Sequence, residues 1–112
     1  MNFVNRLLLV FLILTGCQDR QCKKVVNSFD LNQPYEQKIN FSDCNLGYVH
    51  YQNIRISGEL EGTAYVGGFF KIEGKGHYDT LIRSDYYSDS YTFRYEPSGE
   101  VIGDLQFEVW LE

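Results

Sequence analysis

The chain has 112 residues, a length that fits a single small domain. Its formal net charge at pH 7 is −5, with 10 basic residues against 15 acidic ones. Binding to nucleic acid or to anionic lipid head groups calls for basic patches, and the only adjacent basic pair is Lys23-Lys24. We therefore expect no nucleic-acid partner.

The first segment of the chain has the pattern of a secretory signal. One basic side chain, Arg6, precedes an unbroken apolar run over Leu7–Leu14. A membrane-spanning helix needs roughly 20 apolar residues, whereas the core of a signal peptide needs only about 7 to 15 and is followed by small residues. The sequence predicts a cleaved signal peptide over residues 1–16.

The next residues, Leu14-Thr15-Gly16-Cys17, resemble the lipobox of bacterial lipoproteins, in which an aliphatic and two small residues precede an obligatory cysteine. The resemblance implies that the Cys17 thiol receives a diacylglyceryl group, that the chain is cut after Gly16, and that the new amino group is acylated, for example with palmitate. Two or three acyl chains give stable attachment to a membrane, whereas a single chain holds marginally. The alternative is an ordinary signal peptide with a cysteine at its cleavage site.

The residue after the cysteine bears on localisation within the cell envelope. Gln18 stands there instead of Asp, which resembles lipoproteins sorted to the outer membrane of some Gram-negative bacteria. We expect the outer membrane rather than the inner one. Loss of Arg6 with the signal makes the net charge of residues 17–112 equal to −6, and such an acidic surface suits a basic partner.

Three cysteines are an odd number for a secreted chain, and lipid attachment would use one of them. Cys22 and Cys44 then remain, in a compartment where disulfides persist. A bridge between them would stabilise the fold by roughly 3 kcal/mol on the chain-entropy model. The alternative is a pair of free thiols or metal ligands, although no second Cys or His lies at zinc spacing near either residue.

The rest of the chain has the composition of β-strands. Its single alanine is Ala64, while the chain contains nine Tyr, eight Phe and one Trp. Aromatic and β-branched residues favour strands, and strong helix formers are scarce. We predict an all-β fold, a small antiparallel β-sandwich or barrel of about 6–8 strands over residues 30–112. Residues 17–29 form a polar tether that contains a short first strand at Val25-Val26.

Two strands are predicted in the first half of this domain, over Glu36–Phe41 and Tyr48–Ser57. The apolar residues of the second strand change parity near Gln52-Asn53. This change predicts a bulge there, or a strand that is buried on both faces. The glycines within Leu60–Ile72 make that segment either a hairpin or one long bent strand.

The second half contains clearer signals for turns. Glu73–Gly76 is predicted to be a hairpin loop that leads into a strand over His77–Arg83. Two final strands follow, each with one buried face because their apolar residues alternate. These residues are Tyr91, Phe93 and Tyr95 in the first strand, and Leu105, Phe107, Val109 and Leu111 in the second. Glu96–Gly99 fits a type I turn between them.

Residues for catalysis are scarce. His50 and His77 are the only imidazoles and are expected to be solvated or cross-strand side chains. No nucleophile elbow, phosphate-binding glycine loop or zinc-protease motif is present. Asp85 and Asp89, with nearby serines, could hold calcium, but their spacing fits no EF-hand and a solvated loop is the preferred interpretation. We predict a protein without catalytic residues, metal or cofactor.

Three aromatic residues are the candidates for ligand binding. Tyr86 and Tyr87 lie in the polar loop Ser84–Ser90, and exposed tyrosines give contact area at low entropic cost. The alternative is that one or both rings cover the open end of the sandwich. Trp110 has the parity opposite to its buried neighbours, which predicts an outward ring, unless the N-terminal segment or another aromatic ring covers it.

A short segment is similar to small lipid-anchored β-barrel inhibitors of host lysozymes. That family carries a Ser-Gly-x-x-Tyr loop followed by an aromatic strand and a Lys-Gly pair. Here Glu61–Tyr65 is followed by Gly68–Lys71 and by Lys75-Gly76. Glu61 replaces the serine, and both remaining cysteines precede this stretch. The resemblance would imply a loop that binds a lysozyme.

Three functions follow as hypotheses. The first is a lipid-anchored, non-enzymatic module that binds an envelope or extracellular protein, as an accessory subunit, an inhibitor or an immunity protein. The second is a glycan-binding module that uses the exposed aromatics Tyr86, Tyr87 or Trp110. The third is an inhibitor of the lysozyme-inhibitor type.

Overall fold

The computed structural model describes residues 21–112, so the predicted signal peptide and Cys17 lie outside the described residues. Its five strands are β1 (Lys24–Val25), β2 (Tyr35–Asn40), β3 (Tyr51–Val66), β4 (Phe70–Asp85) and β5 (Ser90–Leu111), with one 3-10 turn over Ser42–Cys44. All strand pairs are antiparallel and belong to one sheet in the order β1-β5-β3-β4, in which β2 also pairs with β5. The predicted all-β, antiparallel class is confirmed.

The long strands bend, so that the sheet folds over on itself. Tyr95 and Phe107 belong to the same strand, β5, and their ring centroids are only 6.1 Å apart. An extended strand rises about 3.3 Å per residue, which would separate the two residues by roughly 40 Å. The two halves of β5 therefore face each other across the core, with β2 paired to the first half and β1 to the second.

Glycines make this bend possible. A Cβ atom on Gly103 would lie 2.1 Å from the carbonyl oxygen of Glu59, and one on Gly58 would lie 2.1 Å from that of Asp104. Both glycines also have positive φ values, 148° and 136°, which side-chain-bearing residues rarely adopt. The backbones of β3 and β5 therefore approach each other at the bend in a way that only glycine permits.

One face of each long strand forms the core. In β3 this face carries the even-numbered residues, including Ile54, Ile56 and Leu60. Asn53, on the opposite face, is also only 2 % exposed, and the pairing of β3 has no register shift at this point. Neither predicted alternative holds, because the other outer-face residues of β3 are not buried and Tyr51 is 38 % exposed. Val49 shares the parity of Tyr51 but lies before the first residue of the strand.

Two predicted turns are wrong. Glu73–Gly76 lies inside β4, where Gly74 pairs with Gly62 of β3. Glu96–Gly99 lies inside β5, which runs on through a bulge between the Glu61 and Thr63 pairs. In both places the strand continues through the glycines, so the described residues form five strands instead of the predicted 6–8, and three of the five are 16 to 22 residues long.

Other local predictions are confirmed. The segment Leu60–Ile72 is a hairpin whose turn lies between β3 and β4. Strand β2 falls within one residue of the predicted Glu36–Phe41, and β1 overlaps Val25-Val26. Cys22 and Cys44 form the expected disulfide, with their Cα atoms 5.8 Å apart. This bridge ties the start of the described chain to the 3-10 turn.

Candidate functional site

Exposed apolar side chains gather at one end of the sheet. Of the seven large apolar residues that are exposed in residues 21–112, Val25 and Ile102 lie elsewhere. The other five are Tyr48, Tyr51, Phe69, Leu81 and Tyr87, with exposed fractions of 92, 38, 80, 50 and 75 %. Contiguous exposed apolar surface is a mark of interaction sites.

Ring contacts join part of this set into one surface. The ring of His50 lies 6.5 Å from that of Tyr51 and 6.4 Å from that of Tyr87. The guanidinium carbon of Arg83 lies 4.0 Å from the Tyr51 ring centroid, a cation–π contact. We call Tyr48, His50, Tyr51, Arg83 and Tyr87 the aromatic face.

Backbone hydrogen bonds fix the segment that carries this face. The amides of His50 and Tyr51 both donate to the backbone oxygen of Glu112, at 2.7 and 2.8 Å, and the Glu112 amide donates back to Tyr51 at 3.0 Å. The Tyr86 amide donates to the carbonyl of His50 at 2.9 Å. The rings therefore project from an ordered backbone, which lowers the entropic cost of binding.

The sequence left open whether Tyr86 and Tyr87 are exposed for binding or cover the end of the core. The structure shows one residue in each position. The Tyr86 hydroxyl donates to the carbonyl of Ser90, and its ring packs edge-on against Tyr91 with the centroids 5.4 Å apart. Tyr86 thus covers the end of the core and is not available as an exposed ring. Tyr87 points the other way and is 75 % exposed.

Trp110 follows the alternative in which its ring is covered, so its predicted use as an exposed ligand platform is wrong. Its side chain is 5 % exposed, and the Lys23 Nζ atom lies 4.7 Å from the centroid of its ring. The ring lies on the outer face of β5, as its parity predicted, but the N-terminal segment covers it. Trp110 therefore offers no free platform for a ligand.

An apolar cleft of about 290 Å³ opens beside the aromatic face. Arg83 is common to both. The cleft is lined on its inner side by Ile54, Val66, Phe70, Ile82 and Tyr91, and at its rim by Phe69 and Leu81. It lies at the open edge of the folded sheet, where β4 has no further strand beside it.

Polar groups in this cleft are few. The Gln52 amide donates to the Ser84 hydroxyl at 2.9 Å, but its Oε1 atom is buried without a hydrogen-bond partner. Burial raises the pKa of the Tyr91 phenol to about 12, so the ring stays neutral at physiological pH. The cleft suits an apolar group better than a charged one.

Within the described part of the chain, the histidines and the possible metal ligands do not lie together in one catalytic or metal-binding site. His77 lies 3.6 Å from Glu59 on the exposed face of β4, far along the chain from His50. Among residues 21–112, no group of three or more His, Cys, Asp or Glu side chains is placed to hold a metal ion. The same part of the chain contains no helix with the length and apolar character needed to span a bilayer.

The segment that resembles lysozyme inhibitors is not a loop here. Glu61–Tyr65 lies inside β3 and is paired with β4 along its whole length. The loop that the resemblance implies is therefore absent from this segment.

Comparison with known proteins gives no assignment: no protein-family model matches the chain, and no curated protein or solved structure is significantly similar to it.

Sequence reasoning predicted Tyr87 but missed most of the aromatic face. His50 is exposed, which confirms the prediction of a solvated side chain, but its ring contacts with Tyr51 and Tyr87 were not predicted. Tyr51 was predicted to share one face of a strand with Val49. The structure buries Val49, at 8 % exposure, and leaves Tyr51 at 38 %. The change of parity at Gln52-Asn53 could have indicated the exposed position of Tyr51. Where the parity of the apolar residues changes, alternation alone does not assign residues to the two faces of a strand.

Proposed function

We propose that this chain is a lipid-anchored protein of the bacterial cell envelope whose mature domain binds another protein through the aromatic face. The observation that carries the binding proposal is the concentration of exposed rings at Tyr48, Tyr51 and Tyr87. They lie on or next to a segment whose backbone is held by the hydrogen bonds of His50, Tyr51 and Tyr86. Tyrosine and arginine are enriched in the energetically dominant parts of protein interfaces. The proposal assigns no catalytic step to this surface.

The position of the aromatic face relative to the anchor supports a partner near the membrane. Lys24 pairs with Val109, three residues before Glu112 in the chain. Glu112 in turn fixes His50 and Tyr51. The polypeptide that leads back to Cys17 therefore enters the domain at the same end as the aromatic face, and a partner bound there would lie close to the acyl chains.

The binding proposal is tested by co-purification from envelope extracts of the native bacterium. The bait is residues 17–112 with Cys17→Ser, which lacks the proposed lipid and the apolar run Leu7–Leu14 but keeps every described residue. We expect a stoichiometric protein partner that is lost with Tyr87→Ala. The matched control is Ile102→Ala, which removes an exposed side chain of 55 % exposure away from the aromatic face and should retain the partner.

Two results would contradict this proposal. Equal recovery of a partner with Tyr87→Ala and Ile102→Ala would show that the aromatic face does not bind it. Binding of the Cys17→Ser chain to protein-free phospholipid vesicles, abolished by Tyr87→Ala, would show that the face contacts the bilayer instead.

The lipid attachment has its own test. Mass spectrometry of the natively produced protein should show a chain that begins at Cys17 and carries a diacylglyceryl group, and Cys17→Ser should prevent both processing and incorporation of labelled palmitate. An intact Met1 or an unmodified Cys17 sulfur would overturn the envelope assignment, while leaving the binding test unaffected.

A surface glycan is the second candidate ligand, because Tyr48 and Tyr87 expose 92 and 75 % of their surface and a sugar ring can stack on such a platform. Retention of the Cys17→Ser chain on immobilised cell-surface polysaccharide, lost with Tyr87→Ala, would favour the glycan over a protein.

A further inference from the structure

Strand β4 is the free edge of the sheet, and it is 16 residues long. The Tyr86 amide donates to His50 on the β3 side, so the even-numbered residues of β4 direct their backbone groups to β3. The odd-numbered residues from Lys71 to Asp85 direct theirs outward. Within residues 21–112 no strand pairs with this edge, and long open edges are templates for pairing with another chain.

The charges on the outer face of β4 are self-complementary in one register. When β4 is placed antiparallel to its own copy with Tyr78 opposite Tyr78, Lys71 lies opposite Asp85 and Glu73 lies opposite Arg83. His77 then lies opposite Asp79. Each of these pairs occurs twice, because the arrangement has twofold symmetry, and cross-strand pairs of opposite charge stabilise a sheet.

Neighbouring registers are less complementary. A shift that places His77 opposite itself brings Lys75 against Asp79, which is attractive, but also Lys71 against Arg83, which is repulsive. A shift in the other direction, with Asp79 opposite itself, brings Lys75 against Arg83 and Glu73 against Asp85. Like charges directly opposite each other destabilise a strand pair, so the charge pattern selects the register centred on Tyr78.

The shape of the sheet is compatible with such a pair. A twofold axis normal to the sheet at Tyr78 keeps the inner faces of both copies on the same side. The apolar cleft opens at this edge, so the second copy would cover Phe70 and Ile82, which are only half-buried in one chain.

We propose that the chain forms a homodimer in which the two β4 strands pair edge to edge, antiparallel, with Tyr78 on the twofold axis. The occupant of the free edge is a second copy of this chain. The dimer joins two sheets into one and closes both apolar clefts. The dimer shares Arg83 with the aromatic face, but the four rings of that face lie outside β4: Tyr48, His50, Tyr51 and Tyr87.

Cysteine cross-linking tests the register. Tyr78 directs its backbone groups to β3, so the two copies of residue 78 form a non-hydrogen-bonded pair with Cα atoms about 4.5 Å apart, within the range of a disulfide. We expect Tyr78→Cys to cross-link two chains under mild oxidation. Thr80→Cys, on the same face but off the axis, should not cross-link and is the matched control.

Exchange of the charges of Lys71 and Asp85 tests the same dimer and changes only the outer face of β4. Sedimentation of residues 17–112 with Cys17→Ser should show a dimer. Lys71→Asp should weaken dimerisation by about tenfold or more, because it replaces two attractive pairs with repulsive ones. The double variant Lys71→Asp/Asp85→Lys should restore it. Lys38→Asp reverses a charge on β2, at the other side of the sheet, and should leave the dimer intact.

Three outcomes would overturn the dimer. The first is a chain that sediments as a monomer at its highest soluble concentration, which would leave the edge to an extended segment of a different protein. The second is cross-linking through Thr80→Cys and not through Tyr78→Cys. The third is a double charge exchange that dimerises no better than Lys71→Asp. None of these results would affect the loss of a partner with Tyr87→Ala.

Discussion

Phe93 and Phe107 lie fourteen residues apart in β5, yet their ring centroids are 5.0 Å apart and their planes are inclined by 59°. Both side chains are buried, at 0 and 2 % exposure. A straight strand would hold them roughly 46 Å apart. This contact joins the two halves of the folded sheet, so it reports on the tertiary fold and not on strand formation.

The first prediction concerns this contact. Phe107→Ala should lower the free energy of unfolding by about 3–5 kcal/mol, because it removes a buried ring and leaves a cavity between the two halves. Urea denaturation measures the change. Ile102→Ala in the same strand removes an apolar side chain that is 55 % exposed and should cost no more than about 0.5 kcal/mol. Similar losses in the two variants would show that the halves of β5 do not pack as described.

The second prediction concerns the bend. Gly103→Ala should destabilise the domain strongly, because its Cβ atom would lie 2.1 Å from the Glu59 carbonyl oxygen and its φ is 148°. Gly76→Ala is the matched control, since its φ is 127° but no atom lies within 4 Å of the added Cβ. Both variants carry backbone strain of about 1–3 kcal/mol, and only Gly103→Ala adds a collision. A smaller loss of unfolding free energy for Gly103→Ala than for Gly76→Ala would contradict the close approach of β3 and β5.

These two sites show what the sequence could and could not predict. The alternation of Tyr91, Phe93 and Tyr95 predicted a strand with one buried face, and the structure buries all three. Glu73–Gly76 was predicted to be a loop because paired glycines signal a turn. The same glycines permit a bend in a continuous strand, and the choice depends on the partner strand, which local sequence does not specify. The sequence therefore predicted the strands and their buried faces, but it did not predict the bends within them.

The candidate site, like the fold, was predicted only where local sequence decides the position of a side chain. The sequence predicted Tyr87 because a polar loop exposes its side chains whatever the fold. The stacking of Arg83 on Tyr51 depends on the pairing of β3 with β4, and the burial of Trp110 depends on Lys23 crossing its ring. Contacts between distant segments decide both positions, so alternation within one strand could not assign them.

The third prediction concerns Asn32, whose side-chain amide acts in place of a missing strand beside β5. Its Nδ2 donates to the Val101 carbonyl at 2.9 Å, and its Oδ1 accepts from the Val101 amide at 2.8 Å. Asn32→Ala should cost about 1–3 kcal/mol of unfolding free energy, since it leaves partly buried backbone groups unpaired. Asn32→Asp keeps the acceptor and loses the donor, so its loss should be smaller.

The neighbouring Gln33 supplies the control for Asn32. Its backbone amide donates to Asp30 at 3.0 Å, and its side chain is exposed, so Gln33→Ala should leave the denaturation midpoint unchanged. If Asn32→Ala and Gln33→Ala unfold at the same urea concentration, then the amide of Asn32 does not support the edge of β5.

The last prediction concerns stability at alkaline pH. Burial raises the pKa of Tyr91 and of Tyr95 to about 12, with smaller contributions from nearby groups, against an ordinary value of about 10. In the unfolded chain both phenols therefore lose their protons first. Between about pH 10 and 12 the folded state holds more protons than the unfolded state, so the free energy of unfolding falls as the pH rises through this interval. Below about pH 10 both states are protonated, and the contribution of these groups is fully present.

Urea denaturation at a series of pH values, together with the absorbance of tyrosinate, measures this effect. The double variant Tyr91→Phe/Tyr95→Phe should be less stable at neutral pH, since the Tyr95 hydroxyl donates to the Leu31 carbonyl at 2.8 Å, but its stability should depend less on pH between about 10 and 12. A double variant that loses stability over this interval as steeply as the unaltered chain would contradict this prediction. It would show that Tyr91 and Tyr95 are not the buried phenols whose deprotonation destabilises the fold.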